Sequence, residues 1–235
     1  MTAAQLRALS DALARLAPPG AAVAAVPVSE PPPPLWPEEE EAVRGAVPAR
    51  RLELACGRAA ARAALAGLGC PACAIPQRPD RAPRWPAGYF GSIAHAGGAA
   101  VAVTVHAAAS WGVGVDLEPA GAVEDALAAE VLRRDEAPPL ETAGGLTAAF
   151  CAKEAAFKAL SSRAGVILAF QDLRLDGMSA TGFTAELCRP AGPLPAGLRL
   201  EGRWALAAGF QLALVPWPRT AENSAPSFAA SRVTS

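Results

Sequence analysis

Residues Phe150-Cys-Ala-Lys-Glu-Ala-Ala-Phe-Lys-Ala-Leu160 have the period of an amphipathic helix, and the rest of the chain is interpreted from this stretch. Its apolar side carries Phe150, Phe157 and Leu160. Glu154 and Lys158 lie four positions apart, so they are neighbours on one face of the helix. This spacing alone is also typical of an ion-paired surface helix. A functional interpretation therefore needs a second element.

That second element is the acidic stretch Gly112-Val-Gly-Val-Asp-Leu-Glu-Pro119. Its alternating apolar residues predict a strand, in which Asp116 and Glu118, two positions apart, point to the same side. Together with Glu154 they supply three carboxylates, and Lys153 and Lys158 supply two ammonium groups. If the strand and the helix converge, these groups form a site for a divalent cation and a phosphate ester.

Composition limits the classes of function. The chain has 235 residues and a net charge of -1, so we expect neither a nucleic-acid nor a membrane-surface partner. Its apolar runs are broken well before the roughly 20 residues that a spanning helix requires. The N-terminus lacks a basic region followed by an apolar block. We therefore expect a cytoplasmic protein.

Cys70-Pro-Ala-Cys73 has the spacing of a metal or redox pair. A structural zinc site normally needs four ligands, but the chain has no second such pair and only His95 and His106 as histidines. The pair also falls in a Pro-rich connector and not at a helix start. Reduced structural cysteines are the favoured interpretation.

The order of elements predicts two similarly built halves, residues 1–105 and 106–217, followed by a disordered tail at 218–235, or from Pro216 by composition. Two longer helices are expected in the first half, from Leu6 to Leu16 and from about Pro48 to Leu68, and Trp36-Pro37-Glu-Glu-Glu-Glu41 between them resembles a helix start. Ser92 to His95 is expected to form a turn that feeds a strand. The predicted strands are Ala21–Val28, Ala99–Val105, Val166–Phe170, Leu173–Leu175, Phe183–Leu187 and Trp204–Val215.

The second of these helices carries arginines that could form a basic stripe or an ordinary solvated face. They are Arg50, Arg51, Arg58 and Arg62. His95 is expected near a strand end, where a side chain can reach a ligand, although an isolated histidine is more often structural.

Three blocks, in order, resemble the 4'-phosphopantetheinyl transferases in their larger single-chain form, over roughly residues 35 to 215. They are Arg50-Arg-Leu-Glu53 with Gly57-Arg58; Pro83-Arg-Trp-Pro-Ala-Gly88 with Gly91-Ser-Ile-Ala-His95; and Gly114-Val-Asp-Leu-Glu-Pro119 with the helix that opened this section. The branch that they resemble serves siderophore, polyketide and nonribosomal peptide synthesis and includes enterobactin synthase component D. The family usually has a hydroxyl residue before the histidine and often Ser or Cys after it, where this chain has Ala94 and Ala96.

The resemblance implies an α/β (α+β) fold with a pseudo-twofold pair of halves, each a small antiparallel sheet packed by a long helix. It implies a monomer that moves 4'-phosphopantetheine from coenzyme A to a serine of an apo acyl or peptidyl carrier protein and releases adenosine 3',5'-bisphosphate.

The resemblance also implies roles for individual residues. The magnesium ligands would be Asp116, Glu118 and Glu154, because Mg²⁺ prefers hard oxygen donors. The catalytic residues would be Glu154, Lys158 and His95. The coenzyme A-binding residues would be Arg50, Arg58, Arg78, Arg81, Ser92, His95, Lys153 and Lys158. Whether Glu154 accepts a proton or only ligates the metal stays open.

Two other functions stay open at this point. The chain could bind coenzyme A or a carrier protein without turnover, as a regulator, although all three carboxylates and both lysines are intact. It could also be a different magnesium-dependent phosphotransferase, although the sequence has no Walker-type Gly-rich phosphate loop.

Overall fold

The computed structural model describes residues 1–136 and 145–219. Its α-helices are α1 Ala3–Leu16, α2 Pro37–Glu40, α3 Pro48–Gly67, α4 Ala128–Val131 and α5 Gly145–Ala164. Its strands are β1 Ala22–Pro27, β2 Tyr89–Ala96, β3 Ala99–His106, β4 Ser110–Pro119, β5 Leu173–Asp176, β6 Gly182–Leu187, β7 Arg199–Ala207 and β8 Phe210–Pro218. Three short 3₁₀ helices cover Glu41–Val43, Asp125–Leu127 and Phe170–Asp172.

The first half is built on a three-stranded antiparallel sheet in the order β1-β3-β2. Its central strand β3 is an almost uninterrupted run of Ala, Val and Thr, and it is buried along its length except at His106. The 20-residue helix α3 packs against this sheet. Pro48 begins α3, where its missing N–H is tolerated, and Gly69 follows its end with a φ of 76°.

The second half is built on a five-stranded antiparallel sheet in the order β4-β8-β7-β6-β5. Helix α5, also of 20 residues, packs on β4 and β8 through a face of small residues. A Cβ atom added to Gly114 of β4 would lie 1.8 Å from the carbonyl oxygen of Ala155 in α5. Strand and helix are therefore in near backbone contact, which brings the charged residues of α5 to those of β4.

The two sheets meet where β2, an edge of the first, packs against β4, an edge of the second. An apolar cluster continues across this junction and includes Val103, Val113 and Leu117. Helix α1, the helix predicted from Leu6 to Leu16, covers the same cluster with Leu9, Leu13 and Leu16. The predicted site residues on β2 and on β4 are thus held by one continuous apolar core.

The predicted α+β class with antiparallel sheets is confirmed. The predicted turn at residues 92–95 is wrong, because these residues are inside β2 and pair with β3. The predicted strand at residues 166–170 is also wrong, because none of these residues is in a strand and Phe170 begins a 3₁₀ helix. The predicted strand at 204–215 is two strands, separated by a hairpin turn at Ala208 and Gly209, which both have positive φ.

The C-terminal boundary also differs from the prediction. Residues 216–218 complete β8 and are not part of a tail, and the predicted disordered residues from 220 onward lie outside the described residues. The division of the chain near residue 106 stays a prediction. Within the described ranges, no helix combines the length and apolarity needed to cross a membrane.

Candidate active site

A cavity of about 740 Å³ lies between the two halves, and we call it the cleft. One side is formed by α3, β2 and the connector from Gln77 to Trp85, and the other by β4, α5 and residues 165–168. Eight of the predicted site residues line it: Arg50, Arg58, Arg78, Arg81, Ser92, His95, Glu154 and Lys158. The structure thus gathers residues that are as much as 108 positions apart in the chain.

The catalytic side of the cleft centres on an ion pair between Lys158 and Asp116. The Lys158 Nζ donates to Asp116 Oδ1 at 2.6 Å and to the carbonyl oxygen of Val115 at 3.3 Å. Burial opposes the charge on Lys158, but Asp116 and Glu154 together outweigh it and raise the pKa of Lys158. Lys158 is therefore a fixed cation at the wall of the cleft.

The carboxylates beside this lysine lie in an environment that disfavours their charged form. Burial raises the pKa of Glu154, and Asp116 adds to the rise while Lys158 opposes it. Burial also raises the pKa of Glu118, with contributions from Asp116 and Glu154. The Oδ2 atom of Asp116 is buried without a hydrogen-bond partner. These three carboxylates lie near enough to repel one another, and a cation among them would relieve the repulsion.

No group of three His, Cys, Asp or Glu side chains within residues 1–136 and 145–219 is close enough to hold a metal ion as it stands. Asp116 turns one oxygen toward Lys158 instead. Its second, unpartnered oxygen and the hard-oxygen chemistry of the set fit a magnesium ion. The predicted magnesium site stays a prediction.

The opposite side of the cleft is cationic and is organised around His95. Arg50 Nη1 lies 3.2 Å from His95 Nε2, and Glu53 Oε2 lies 3.7 Å from His95 Nδ1. Burial lowers the pKa of His95, and the positive charges of Arg50 and Lys158 lower it further, although Glu53 and Asp116 oppose them. An anion placed here would favour the protonated histidine.

Arg58 is the most deeply buried of the predicted coenzyme-binding arginines, with only 4% of its surface exposed. Burial lowers its pKa to about 10, with Arg62 and Arg50 contributing, while Glu39 opposes the change. The buried Nε of Arg58 has no hydrogen-bond partner. A buried guanidinium with an unused donor at the cleft wall is a ready site for a phosphate.

Comparisons with known proteins agree with this geometry. The family model of the 4'-phosphopantetheinyl transferase N-terminal domain matches residues 38–105, and that of the 4'-phosphopantetheinyl transferase superfamily matches residues 112–214. The 4'-phosphopantetheinyl transferase Svp of Streptomyces mobaraensis is 38% identical over 209 residues, which cover 81% of this chain and 83% of that protein. The chain belongs to the 4'-phosphopantetheinyl transferase superfamily.

Two further relatives are similar to this chain over most of their own length. The 4'-phosphopantetheinyl transferase Npt of Nocardia iowensis is 32% identical over 77% of this chain and 88% of its own length. Enterobactin synthase component D of Salmonella typhi is 32% identical over 72% of this chain and 73% of its own length. The chain is therefore an enzyme of the phosphopantetheinyl transferase class, as the sequence blocks indicated.

In this transferase, Lys153 does not reach the cleft, and its predicted coenzyme-binding role disagrees with its position. Its side chain is fully buried, and Nζ donates to Glu136 at 2.7 Å and to the carbonyl oxygens of Val131 at 2.8 Å and Phe170 at 3.1 Å. Successive helix residues point about 100° apart, so Glu154 faces the cleft while Lys153 faces the core. The sequence could not distinguish the two directions.

Ser92 lies at the cleft wall, but its hydroxyl is engaged within the transferase. Its Oγ accepts a hydrogen bond from the N–H of Val115 at 3.0 Å, and only 4% of the residue is exposed. The predicted role of Ser92 in holding the coenzyme stays a prediction. The contact instead joins β2 to β4.

The connector brings Arg78 and Arg81 to the rim of the cleft of this transferase. Arg78 pairs with Asp80 at 2.7 Å, and the N–H of Arg81 donates to the carbonyl oxygen of Arg78 at 2.9 Å. Arg81 has a φ of 66°, so the backbone turns sharply at that residue. Both arginines remain at least partly exposed and available to an anion.

Sequence reasoning missed the network that supports this transferase's connector. Arg62, one of the arginines expected to form either a basic stripe or a solvated face, donates to Glu39 Oε1 at 2.8 Å. Glu39 is almost fully buried and also accepts from the N–H groups of Ile75 at 2.8 Å and Trp36 at 3.0 Å. No local pattern marks Glu39, because it is one of four successive glutamates.

The aromatic wall was also missed, although its residues lie in or near a quoted block. Trp85 and Tyr89 both line the cleft. A Cβ atom added to Gly91 would lie 2.6 Å from the Trp85 ring, so glycine is needed for that ring to lie against β2. The tryptophan followed six residues later by glycine was the available signal.

Proposed function

We propose that this transferase moves 4'-phosphopantetheine from coenzyme A to a serine hydroxyl of an apo acyl or peptidyl carrier protein, with Mg²⁺, and releases adenosine 3',5'-bisphosphate. The observation that carries the proposal is the cleft itself, which is lined by Glu154 and by Lys158, the partner of Asp116, and also by Arg58 and His95. A molecule with separate anionic groups along its length suits such a two-sided site. Relatives named as 4'-phosphopantetheinyl transferases support it.

The cationic side of the cleft would hold the nucleotide end of coenzyme A. Its 3'-phosphate is dianionic, and charge-assisted donors arranged as forks recognise such a group. Arg58 offers a buried donor without a partner, and Arg50 and His95 lie together nearby. Arg78 and Arg81 would supply further charge from the connector.

Magnesium would be held by Asp116, Glu118 and Glu154. When bound there, the ion supplies positive charge to the pyrophosphate oxygens of coenzyme A and so stabilises the charge that develops during transfer. The buried, unpartnered Oδ2 of Asp116 supports this assignment.

The reaction is a direct displacement at phosphorus. The carrier's serine oxygen forms a bond to the phosphorus atom on the pantetheine side of the pyrophosphate, and the bond from that atom to the bridging oxygen breaks. Glu154 would take the serine proton, because its side chain lines the cleft in which the serine has to meet coenzyme A. Lys158, held by Asp116, would stabilise charge on the transferred phosphoryl group.

The remaining parts of the proposal concern partners and context. We infer that the enzyme acts as a monomer in the cytoplasm, where coenzyme A and carrier proteins meet. The relative named enterobactin synthase component D favours a carrier from siderophore or related secondary metabolism. The rival proposal is a protein that binds coenzyme A or carriers without turnover.

Mass spectrometry of an apo carrier protein incubated with coenzyme A, Mg²⁺ and this protein separates the two. Transfer should add the mass of one phosphopantetheine to the carrier, and a carrier with its acceptor Ser changed to Ala should gain nothing. A carrier that binds but never gains mass would support the non-catalytic rival. Omission of Mg²⁺ tests the metal separately.

A further inference from the structure

The contact between Ser92 and Val115 is a side-chain bridge between two sheets. Ser92 belongs to β2, an edge of the first sheet, and Val115 belongs to β4, an edge of the second. The Ser92 Oγ accepts from the Val115 N–H at 3.0 Å, and the same hydroxyl lies 3.5 Å from the Val115 carbonyl oxygen. Both residues are buried, with 4% of Ser92 and none of Val115 exposed.

The backbone of Val115 contacts both Ser92 and the catalytic side of the cleft. It pairs with Leu214 of β8, and in an antiparallel ladder alternate residues turn their N–H and C=O groups away from the partner strand. Its N–H meets Ser92, and its C=O accepts from Lys158 Nζ at 3.3 Å. The following residue is Asp116, which pairs with the same ammonium group.

We propose that Ser92 is a positioning residue that fixes Asp116 and Lys158 relative to the coenzyme-binding side of the cleft. This inference rests on the proposed function. Ser92 shares β2 with His95, so the hydrogen bond ties the strand that would contact the nucleotide end to the strand that carries the reacting end. Its role is to hold the two ends of one bound substrate at a constant separation.

The physical reason is the cost of small displacements. A misplacement of about 1 Å can reduce an enzyme's rate by about 10²-fold. Without an acceptor from Ser92, the buried Val115 N–H has no partner in β2, and β4 is free to shift toward another one. The binding groups on each side stay intact, so the loss appears in turnover and not in affinity for coenzyme A.

The test compares Ser92→Ala with Thr104→Val. Thr104 is equally buried in the neighbouring strand β3, and its hydroxyl donates weakly to the carbonyl oxygen of Ala22 at 3.5 Å, within one sheet. Ser92→Ala should lower kcat by roughly 10- to 10²-fold, leave the Kd for coenzyme A measured by calorimetry without metal within about twofold of wild type, and speed hydrogen exchange at the Val115 amide. Thr104→Val should keep kcat and Val115 exchange near wild type.

Ser92→Cys keeps a weaker acceptor at the same position and should fall between wild type and Ser92→Ala in both kcat and Val115 exchange. Unchanged Val115 exchange in Ser92→Ala, or an equal loss of kcat in Thr104→Val, would overturn the proposal. Failure of the wild-type protein to modify any carrier would instead contradict the proposed function. Val115 exchange still tests the bridge in that case.

Discussion

At the scale of single residues, the cleft contrasts charges that are already paired with charges that are not. Lys158 has Asp116 as a partner, whereas Arg58 Nε and Asp116 Oδ2 are buried without one. Buried polar groups are rarely left unsatisfied, and exceptions often mark a missing ligand. Arg58 lines the cleft and offers a donor, whereas Asp116 offers an acceptor beside Lys158, which also lines the cleft. An anion and a cation are their natural complements.

Glu154→Gln tests the proton-accepting role. The amide can coordinate weakly but cannot take a proton, so we expect kcat to fall by about 10²- to 10⁴-fold. In the wild type, kcat should rise with pH as Glu154 loses its proton. Burial raises the pKa of this group in the metal-free protein, and a bound Mg²⁺ opposes that rise. The measurement is kcat against pH at saturating Mg²⁺. Full rescue of the variant by higher Mg²⁺ would leave Glu154 as a metal ligand only.

His95 should take up a proton when coenzyme A binds. In the free protein, burial lowers the pKa of His95 below its usual value, and a bound dianionic phosphate raises it again. Affinity should therefore increase as pH falls from the raised pKa of His95 in the complex to its lowered pKa in the free protein. Calorimetry in two buffers of different ionisation enthalpy counts the protons. Neither His95→Asn with coenzyme A nor the wild type with dephospho-coenzyme A should show this uptake.

At the scale of elements, the site depends on how closely α5 approaches β4. Gly114 and a face of alanines permit this approach, and α5 then presents Glu154 and Lys158 to the strand. On the other flank of α5, Lys153 and Glu136 form a buried ion pair in which both groups have further partners. One face of the helix therefore serves the cleft and another anchors it to the core.

Gly114→Ala should separate the helix from the strand. The new Cβ would lie 1.8 Å from the Ala155 carbonyl oxygen, which is a backbone atom that cannot rotate away. We expect the free energy of unfolding to fall by roughly 1–3 kcal/mol, which is typical of overpacking. Transfer activity should also fall, because the helix that carries Glu154 and Lys158 moves away from the strand. Gly182→Ala, in the same sheet with a nearest atom at 3.2 Å, is the matched control. Equal activity in the two variants would contradict the argument.

Lys153→Met should destabilise the protein without touching the cleft. It leaves Glu136 buried with an uncompensated charge, which typically costs about 3–5 kcal/mol. Urea unfolding measures the change. The double variant Lys153→Met/Glu136→Gln removes the orphaned charge and keeps one acceptor oxygen, which can serve only one of the N–H groups of Arg133 and Leu175. It should therefore recover part of the loss and not all of it. No recovery would mean that the ion pair is not the source of the effect.

At the scale of the whole molecule, the two sheets and their 20-residue helices form the walls of one cleft. A ligand that spans this cleft contacts both halves and binds only the folded chain. Coenzyme A at 100 times its Kd should therefore stabilise the protein by about 2.7 kcal/mol, seen as a single transition at higher Tm. Dephospho-coenzyme A at the same concentration should stabilise less. Arg58→Met should reduce the difference between the two ligands.

Much of this protein was determined by its sequence alone. Local periodicity placed α1, α3, α5 and the strand with Asp116, because helix and strand periods repeat over several residues. The residue types predicted a site for a divalent cation and a phosphate ester, and the three ordered blocks indicated the family. Elements without a strong local period, such as residues 92–95 and 166–170, were assigned wrongly, because strand pairing is a long-range event.

Only the tertiary structure decided which way the charged and polar side chains point. Lys153 and Glu154 are adjacent in sequence, yet one is saturated by partners in the core and the other faces the cleft. Ser92 reads as a ligand contact but bonds to the second sheet. A side chain's partners come from elements that are distant in the chain, so their identity is fixed only when the elements pack.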